Sequence, residues 1–413
     1  MFGMLRKLAG HTHYRYVIIN TLISVIAFGR NVLFMKTLGL GDLGQVALMQ
    51  TIVMLVGFVQ LGTINGAYIL FAERKEEQSQ RIVNALSLGV IVLLLCSSIA
   101  AVFGGGRALE SMVAHETLVI GIFGGIFALA STWMNNALIA KGALAKSNII
   151  NMGAVLISLV VAVMSLQYGL YAALLSMLLQ PALVAISALI IEPDLRPTSF
   201  RVCGDTLRST LSLGIRPFAG MLFVLMAYQL ERWSIVYVLG QEALGEFYIV
   251  MMYMTFFLLI PASIMNVHFP RAMRAHQAKE YDSFLAIRRR HLIEITVYCV
   301  AALLITAALM PVAVSAFVPQ FIDSQYLVFL VFPALFIFVM RDRATLVLYS
   351  VKRTQPILVS GVILLVSYAA LLGGAAMLDS FSLASVVVLR GVAVLLSTTY
   401  LLWVGRGIVK SLV

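Results

Sequence analysis

Charged side chains lie inside several of the long apolar runs of this chain. They are three arginines, Arg30, Arg232 and Arg341, and two carboxylates, Glu231 and Asp342. An ionised group near the centre of a bilayer costs about 2.5–3.5 kcal/mol on insertion scales, so a partner or ligand must compensate it. A guanidinium can donate two parallel hydrogen bonds to phosphate oxygens. These residues therefore indicate an interior site for a phosphate-bearing anion, and the alternative is a structural ion pair between helices.

Further residues in the apolar runs extend this candidate site. We expect additional basic ligands of the anion and a polar lining of the cavity, namely Lys36, Arg216 and Arg343 as ligands and Asn31, Asn65, Tyr228 and Gln229 as lining. Hydrogen bonding between helices accounts equally well for buried amides. Side chains near the ends of spans can instead reach the lipid headgroups. This is the alternative for Lys36 and Arg216, and it is our interpretation of Arg390. Glu294 also lies near a span end, and an ion pair with the Arg288–Arg290 run is a further alternative for it.

The neighbouring charges at residues 341 to 343 are expected to play different parts. Side chains two residues apart on a helix diverge by about 200°, so we place Arg341 towards the cavity and Arg343 towards the cytoplasmic rim. Glu231 and Asp342 are the predicted gating or ion-coupling groups, although each adjoins an arginine that favours its ionised form. The sequence predicts no catalytic residue, no cofactor site and no metal site.

The apolar runs predict an all-α integral membrane protein. Hydrophobic residues make up 61% of the 413-residue chain and charged residues 11%, which excludes an ordinary soluble domain. Twelve runs reach the roughly 20 residues that a membrane-spanning helix requires. They are Tyr16–Leu38, Gln45–Phe71, Ile82–Phe103, Thr117–Ala140, Ser147–Leu166, Leu170–Ile191, Leu211–Leu239, Leu244–Val267, Ile293–Val318, Tyr326–Tyr349, Pro356–Met377 and Ser382–Trp403.

The lysines and arginines between these runs predict the orientation. Every second connection, starting from the N-terminus, carries basic residues, whereas the opposite connections carry only Arg107. Cytoplasmic loops of membrane proteins hold the Lys/Arg excess, so both termini are predicted to be cytoplasmic. The formal net charge of +11 is then mainly a consequence of topology, and nucleic acid is not an expected partner.

Short connections and missing motifs favour a transporter over an enzyme. The longest connection on the outer side runs only from about Gly104 to Glu116, which leaves no room for an external catalytic domain. The sequence contains no Walker A motif and no H-E-x-x-H motif, so bound nucleotide is not the expected energy source. Coupling to the membrane potential, to H⁺ or to Na⁺ remains open. Three cysteines show no spacing pattern that indicates a disulfide framework or a metal site.

An internal repeat divides the chain into two halves. The pattern Leu38-Gly39-x-x-x-Leu43-Gly44 recurs after an offset of 201 residues as Leu239-Gly240-x-x-x-Leu244-Gly245. Six spans per half bring both copies into the membrane from the same side. The repeat therefore predicts two lobes related by a pseudo-two-fold axis along the membrane normal, with a site between them. The predicted lobes are residues 1–191 and 209–413, and residues 192–208 form a cytoplasmic linker.

The same offset aligns Arg30 with Glu231. Opposite charges at one depth in related helices suggest an ion pair across the two halves that closes the external gate. The competing hypothesis is that Glu231 pairs with its neighbour Arg232 or with another helix of the second half.

These residues resemble a known superfamily. Arg30 and Lys36 before Leu38-Gly39 resemble the first-helix signature of the multidrug/oligosaccharidyl-lipid/polysaccharide exporters. The Glu231-Arg232 pair looks like the Asp-Arg pair of its polysaccharide transporters, with Glu in place of Asp. Length, twelve spans and the repeat make essentially the whole chain similar to Wzx-type flippases. The lipid II flippases of this superfamily usually have fourteen spans, and its drug/cation antiporters typically rely on acidic cavity residues.

The resemblance implies a function and a location. A Wzx-type flippase works by alternating access and moves an undecaprenyl-pyrophosphate-linked oligosaccharide, such as an O-antigen, enterobacterial-type or exopolysaccharide repeat unit, to the periplasmic leaflet. This implies a bacterial inner membrane protein of lipopolysaccharide or polysaccharide biosynthesis. Its expected partners are the polyprenyl-linked glycan, membrane lipids and glycan polymerase or assembly proteins. The alternatives are a drug/cation antiporter of the same superfamily and a non-transporting subunit or enzyme of glycan assembly.

Overall fold

The protein is built from α-helices. The computed structural model describes residues 12–72, 76–102, 113–199, 204–351, 353 and 355–412. Within these ranges there are fourteen α-helices, three short 3-10 turns and no β-strand. The helices are α1 (Thr12–Thr37), α2 (Leu40–Gly57), α3 (Thr63–Ala72), α4 (Glu76–Val102), α5 (His115–Ala140), α6 (Leu144–Val163), α7 (Ser165–Ile191), α8 (Gly204–Leu239), α9 (Gln241–Gln277), α10 (Tyr281–Phe317), α11 (Tyr326–Met340), α12 (Asp342–Ser350), α13 (Gln355–Met377) and α14 (Leu383–Leu412).

Each of the twelve predicted spans corresponds to one helix or to two consecutive helices. The second span is divided into α2 and α3, and the tenth is divided at Arg341 into α11 and α12. Ten helices in the described ranges are long and apolar enough to cross a membrane. The divided tenth span is not among them because its parts have 15 and 9 residues. The other span outside the ten is α1, which carries Arg30 and Lys36. The predicted all-α, multi-pass membrane fold is therefore confirmed.

The chain separates into two compact units. The first ends at Phe218 and the second begins at Ala219, so the boundary lies inside α8. The lobe limits inferred from the repeat, residues 1–191 and 209–413, remain a prediction. In the first unit α5 packs against α2, α3, α4 and α7. Small residues allow this close approach, because a Cβ on Gly125 would come within 2.6 Å of the Val56 side chain.

The break in the second span is packed directly against the start of α8. Leu61 and Gly62 have left-handed backbone conformations (φ 47° and 88°), and α3 begins at the next residue. A Cβ on Gly214 would lie 1.9 Å from the carbonyl oxygen of Gly62. A Cβ on Gly66 would lie 1.9 Å from the carbonyl oxygen of Thr210. The two backbones therefore touch without intervening side chains. This geometry requires glycine at positions 66 and 214.

Adding one methyl group at this crossing is expected to disrupt the first unit. In a Gly66→Ala protein the new Cβ overlaps a backbone carbonyl, which cannot rotate away, so α3 and α8 must separate. The expected result is a loss of monodisperse protein in size-exclusion chromatography, or a clear fall in its melting temperature. Gly153→Ala on α6 is the matched control, because a Cβ there meets nothing within 4 Å. Equal behaviour of the two variants would show that the crossing is not close.

The second unit is organised around α14. This helix packs against α11, α12 and α13, and α9 packs against α10. Two buried polar contacts join α13 to α14. The Tyr368 hydroxyl donates to the carbonyl oxygen of Val386 at 3.2 Å, and the Ser360 and Ser397 hydroxyls lie 2.8 Å apart. This helix pair carries Arg390, eight residues into the twelfth predicted span, into the interior of the unit.

Candidate anion-binding site

A buried ion pair forms the centre of the candidate site in the second unit. Glu231 of α8 is 0% exposed and pairs with Arg390 of α14, which is 5% exposed. The Arg390 guanidinium also lies over the Tyr228 ring, 4.8 Å from its centroid, and its Nη1 lies 2.6 Å from Met254 Sδ. A buried arginine held by one carboxylate, an aromatic face and a sulfur atom is strongly oriented.

Arg390 corrects our interpretation of the sequence. We expected its side chain to reach the headgroups from near a span end, but it is buried within the helix bundle. The signal was present, because Arg390 is the only charged residue in the twelfth predicted span. Its partner could not be read from the sequence, since 159 residues separate it from Glu231.

Glu231 has an ion-pair partner in its own unit, Arg390, as the competing hypothesis of a second-half partner expected. The cross-half pair of Arg30 with Glu231 stays a prediction. Arg30 is buried in the first unit, where its Nη1 donates to Ser158 Oγ at 2.7 Å and to Gln180 Oε1 at 2.8 Å. An internal repeat aligns helices by depth, and it does not specify which side chains turn towards each other.

Two further arginines belong to the cluster around Glu231. Arg232 follows Glu231 on α8, and its charge interacts with those of Glu231 and Arg390. Arg341 is 7% exposed at the junction of α11 and α12, with its guanidinium 4.9 Å from the centroid of the Phe338 ring. Electrostatic interactions connect Tyr228 with Arg341, Arg390 and Glu231. We call Tyr228, Glu231, Arg232, Arg341 and Arg390 the arginine cluster.

Among the described residues, the charges of the cluster do not cancel. Arg390 and Arg232 interact with the carboxylate of Glu231, and Arg341 interacts with the second acid, Asp342. Low dielectric surroundings strengthen the field of the remaining positive charge. The geometry can therefore attract an anion, and a planar guanidinium can bind its oxygens in a bidentate manner.

Arg341 and Arg343 differ in their surroundings. Arg341 is buried, whereas Arg343 is partly exposed on α12. The charge of Arg343 acts on Arg288, as does that of Arg406, so Arg343 belongs to a separate group of basic residues. That Arg341 faces the transport cavity and Arg343 the cytoplasmic rim stays a prediction.

The remaining predicted site residues are dispersed. Lys36 is exposed in the last turn of α1, Asn31 and Asn65 are partly buried in the first unit, and Gln229 is buried in α8. The side chain of Arg216 lies outside the described residues. The structure thus brings Tyr228, Glu231, Arg232 and Arg341 together in one cluster, and it adds Arg390 to them.

A histidine pair was missed by the sequence analysis. His268 of α9 is buried, and its Nε2 lies 2.7 Å from Glu294 Oε2. Arg290 Nε donates to the other carboxylate oxygen at 2.8 Å, so the alternative pairing of Glu294 with the Arg288–Arg290 run is confirmed at Arg290. The ring of His291 lies 5.6 Å from that of His268. No spacing rule predicts this contact, because the two histidines lie on different helices.

Solved structures with the same fold include proteins that are described as transporters and as a lipid flippase. An inward-facing multidrug resistance MATE family transporter of the MOP superfamily superposes with a TM-score of 0.74 at 14% identity, covering 94% of this chain and 95% of the other. The lipid II flippase MurJ in its inward closed conformation has a TM-score of 0.69 at 13% identity, with 95% and 87% covered. A MOP superfamily transporter from Pyrococcus furiosus has a TM-score of 0.66 at 14% identity, with 96% and 94% covered.

These likenesses define a fold. Neither a protein-family model nor a curated protein sequence matches the chain. The protein therefore has the fold of the MOP-superfamily transporters, which host both drug transport and lipid flipping. A fold that serves several substrates does not select one of them, so the substrate must be inferred from the charges of the site.

Proposed function

We propose that the protein moves a polyprenyl-pyrophosphate-linked oligosaccharide from the cytoplasmic to the outer leaflet of a bacterial inner membrane. In this function the arginine cluster binds the pyrophosphate, and rocking of the two halves exposes the substrate to alternate sides. The observation that carries the proposal is the excess of guanidinium groups over carboxylates around Tyr228 and Glu231 among the described residues. A transporter of organic cations would require the opposite sign of charge at its site.

The comparisons are compatible with this substrate class and also with others. MurJ is described as a lipid II flippase, which is a transporter of a lipid-linked substrate. The Pyrococcus furiosus transporter is described as having a binding pocket of reversed polarity that suggests a different function. That description supports the idea that the charge of the pocket separates members of this fold by function. For our chain, that criterion favours an anionic substrate.

The membrane potential can supply energy for the proposed transport. With the cytoplasm negative, each negative charge that moves outward gains about 2.3 kcal/mol per 100 mV. A pyrophosphate diester carries roughly two such charges, provided that the arginines stay in place. Coupling to H⁺ or Na⁺ is therefore not needed to drive the step. Glu231 is already engaged with Arg390, which makes it a poor cation carrier in this conformation.

Complementation of defined flippase-deficient bacteria tests the proposal. A strain that lacks its Wzx-type flippase accumulates lipid-linked glycan in the inner leaflet, and expression of this chain should restore surface polysaccharide in at least one such strain. The Arg341→Ala variant, expressed at the same level, should restore less surface polysaccharide than the wild-type protein. If the chain restores glycan export in none of a panel of strains but protects cells against toxic organic cations, the drug/cation antiporter is supported instead. Rescue of glycan assembly without translocation would support an accessory subunit.

A further inference from the structure

A mainly apolar pocket lies in the first unit, away from the arginine cluster. It has a volume of about 500 Å³ and is enclosed by the break in the second span, α4, α5 and the start of α8. Its walls include Gln60, Gly89, Leu93, Trp133 and Thr210. Ligand sites in proteins typically have roughly 300–1,000 Å³ and combine apolar walls with a few polar groups. We call this cavity the α4 pocket.

The α4 pocket contains hydrogen-bonding groups that the described residues leave unsatisfied. Trp133 is 1% exposed, and its Nε1–H has no hydrogen-bond acceptor. Gln60 Oε1 is a buried acceptor without a donor. A buried polar group without a hydrogen-bond partner destabilises the folded protein. A ligand that brings a carbonyl oxygen to Trp133 would supply the acceptor that its Nε1–H lacks.

The mouth of the pocket has the character of a bilayer-facing surface. Val59, Leu61 and Val92 line the pocket and have exposed side chains. Farther along α4, Leu95 and Ile99 are exposed as well. Large exposed apolar side chains in contiguous groups mark surfaces that contact membrane or other apolar partners. A ligand therefore enters from the lipid phase.

Positive charge flanks the pocket at its predicted cytoplasmic end. Exposed Arg81 precedes the lining residue Ile82, and exposed Arg208 follows the lining residue Leu207. Asp205 is the exposed acid nearby on α8. Basic side chains at the cytoplasmic surface attract anionic lipid headgroups. The volume of the pocket is comparable with one phospholipid acyl chain, whereas a long polyprenyl chain would overfill it.

We propose that the α4 pocket holds one acyl chain of an anionic phospholipid from the cytoplasmic leaflet. The acyl chain lies along the apolar walls, the ester carbonyl accepts the Trp133 Nε1–H, and the phosphate lies towards Arg208. Phosphatidylglycerol has these groups in this order and a net negative charge. The close crossing of Gly62 and Gly66 with α8 forms the adjoining wall, so the bound chain also supports the broken second span. This inference is independent of the transported substrate.

Fluorescence of Trp133 reports the occupancy of the pocket directly. In a Trp233→Phe/Trp403→Phe protein, Trp133 is the sole tryptophan, and phosphatidylglycerol brominated on its acyl chain should quench it saturably at about one lipid per protein. The control is a protein that keeps only Trp403, which is 72% exposed and should be quenched without saturation as lipid is added. Non-saturable quenching of Trp133 would mean that Trp133 contacts only bulk lipid, and it would overturn the proposal.

A variant whose pocket is filled by a larger side chain distinguishes quenching at a specific site from quenching by general lipid contact. Gly89→Leu adds a side chain where a Cβ meets nothing within 4 Å, so folding should be preserved while the cavity is occupied. We expect it to weaken the saturable quenching at least fivefold, whereas Leu95→Phe, outside the pocket on α4, should not. Unchanged quenching in Gly89→Leu would contradict the site.

Competition experiments identify the ligand of the pocket. Unlabelled phosphatidylglycerol should relieve the quenching at least fivefold more effectively than phosphatidylcholine, and Arg208→Ala should reduce that difference. Equal competition by the two lipids would remove the anionic headgroup from the proposal. Displacement by tetraphenylphosphonium but not by either phospholipid would assign the pocket to a hydrophobic cation and overturn it.

Discussion

Replacement of Glu231 by alanine is expected to lower the free energy of unfolding by about 3–5 kcal/mol, because it leaves the buried guanidinium of Arg390 without its counter-ion. The melting temperature of purified protein in detergent measures this effect. Glu242→Ala is a matched control, since Glu242 is exposed near the start of α9 and its loss should change stability by less than about 0.5 kcal/mol.

A double-mutant cycle shows whether the loss arises from the pair itself. Removing both charges in Glu231→Gln/Arg390→Met should recover much of the stability, because no uncompensated charge stays buried. The charge exchange Glu231→Arg/Arg390→Glu should recover part of it. If the double variants are as unstable as the sum of the single variants, Glu231 and Arg390 do not stabilise each other.

The second large effect is expected at Arg341, this time on transport. A hydrogen bond to a charged group contributes about 1.5–3 kcal/mol, so Arg341→Ala should weaken pyrophosphate binding about 10-fold to 150-fold. Arg341→Lys should retain part of the activity, because the charge is kept but the planar fork is lost. Transport rates at substrate concentrations below saturation measure both variants.

Arg343 provides the control for Arg341. It carries the same charge two residues away but is partly exposed and interacts with the Arg288 and Arg406 group. We expect Arg343→Ala to retain at least half of the transport rate. A variant series in which Arg343→Ala is inactive and Arg341→Ala is active would reverse the assignment of the binding residue.

The helices were predictable because membrane spans are encoded locally. Length and apolar character alone define a spanning helix, so all twelve predicted runs recur as helices. The two breaks were not predicted. Leu61-Gly62 occurs inside an otherwise apolar run, and its conformation depends on the packing of Gly66 against Thr210, which lies in a distant part of the chain.

The site was predictable in its residue types and not in its pairings. Arg232, Arg341 and Glu231 were found because charge is costly inside a membrane. Arg390 carried the same signal but was assigned to the headgroup region by its distance from a span end. Burial and partner choice depend on helix rotation and on contacts between distant segments. Neither is determined by the depth of a residue along its own helix.

Reconstitution into liposomes tests the central claim most directly. A fluorescent polyprenyl-pyrophosphate oligosaccharide is distributed over both leaflets, and a membrane-impermeant reductant destroys only the label on the outside. Wild-type protein should allow nearly all of the label to be destroyed, whereas with Arg341→Ala the protected label should be lost about tenfold or more slowly. If wild-type protein leaves the label as protected as empty liposomes do, yet carries an organic cation across the same membranes, the protein is not a flippase of this class.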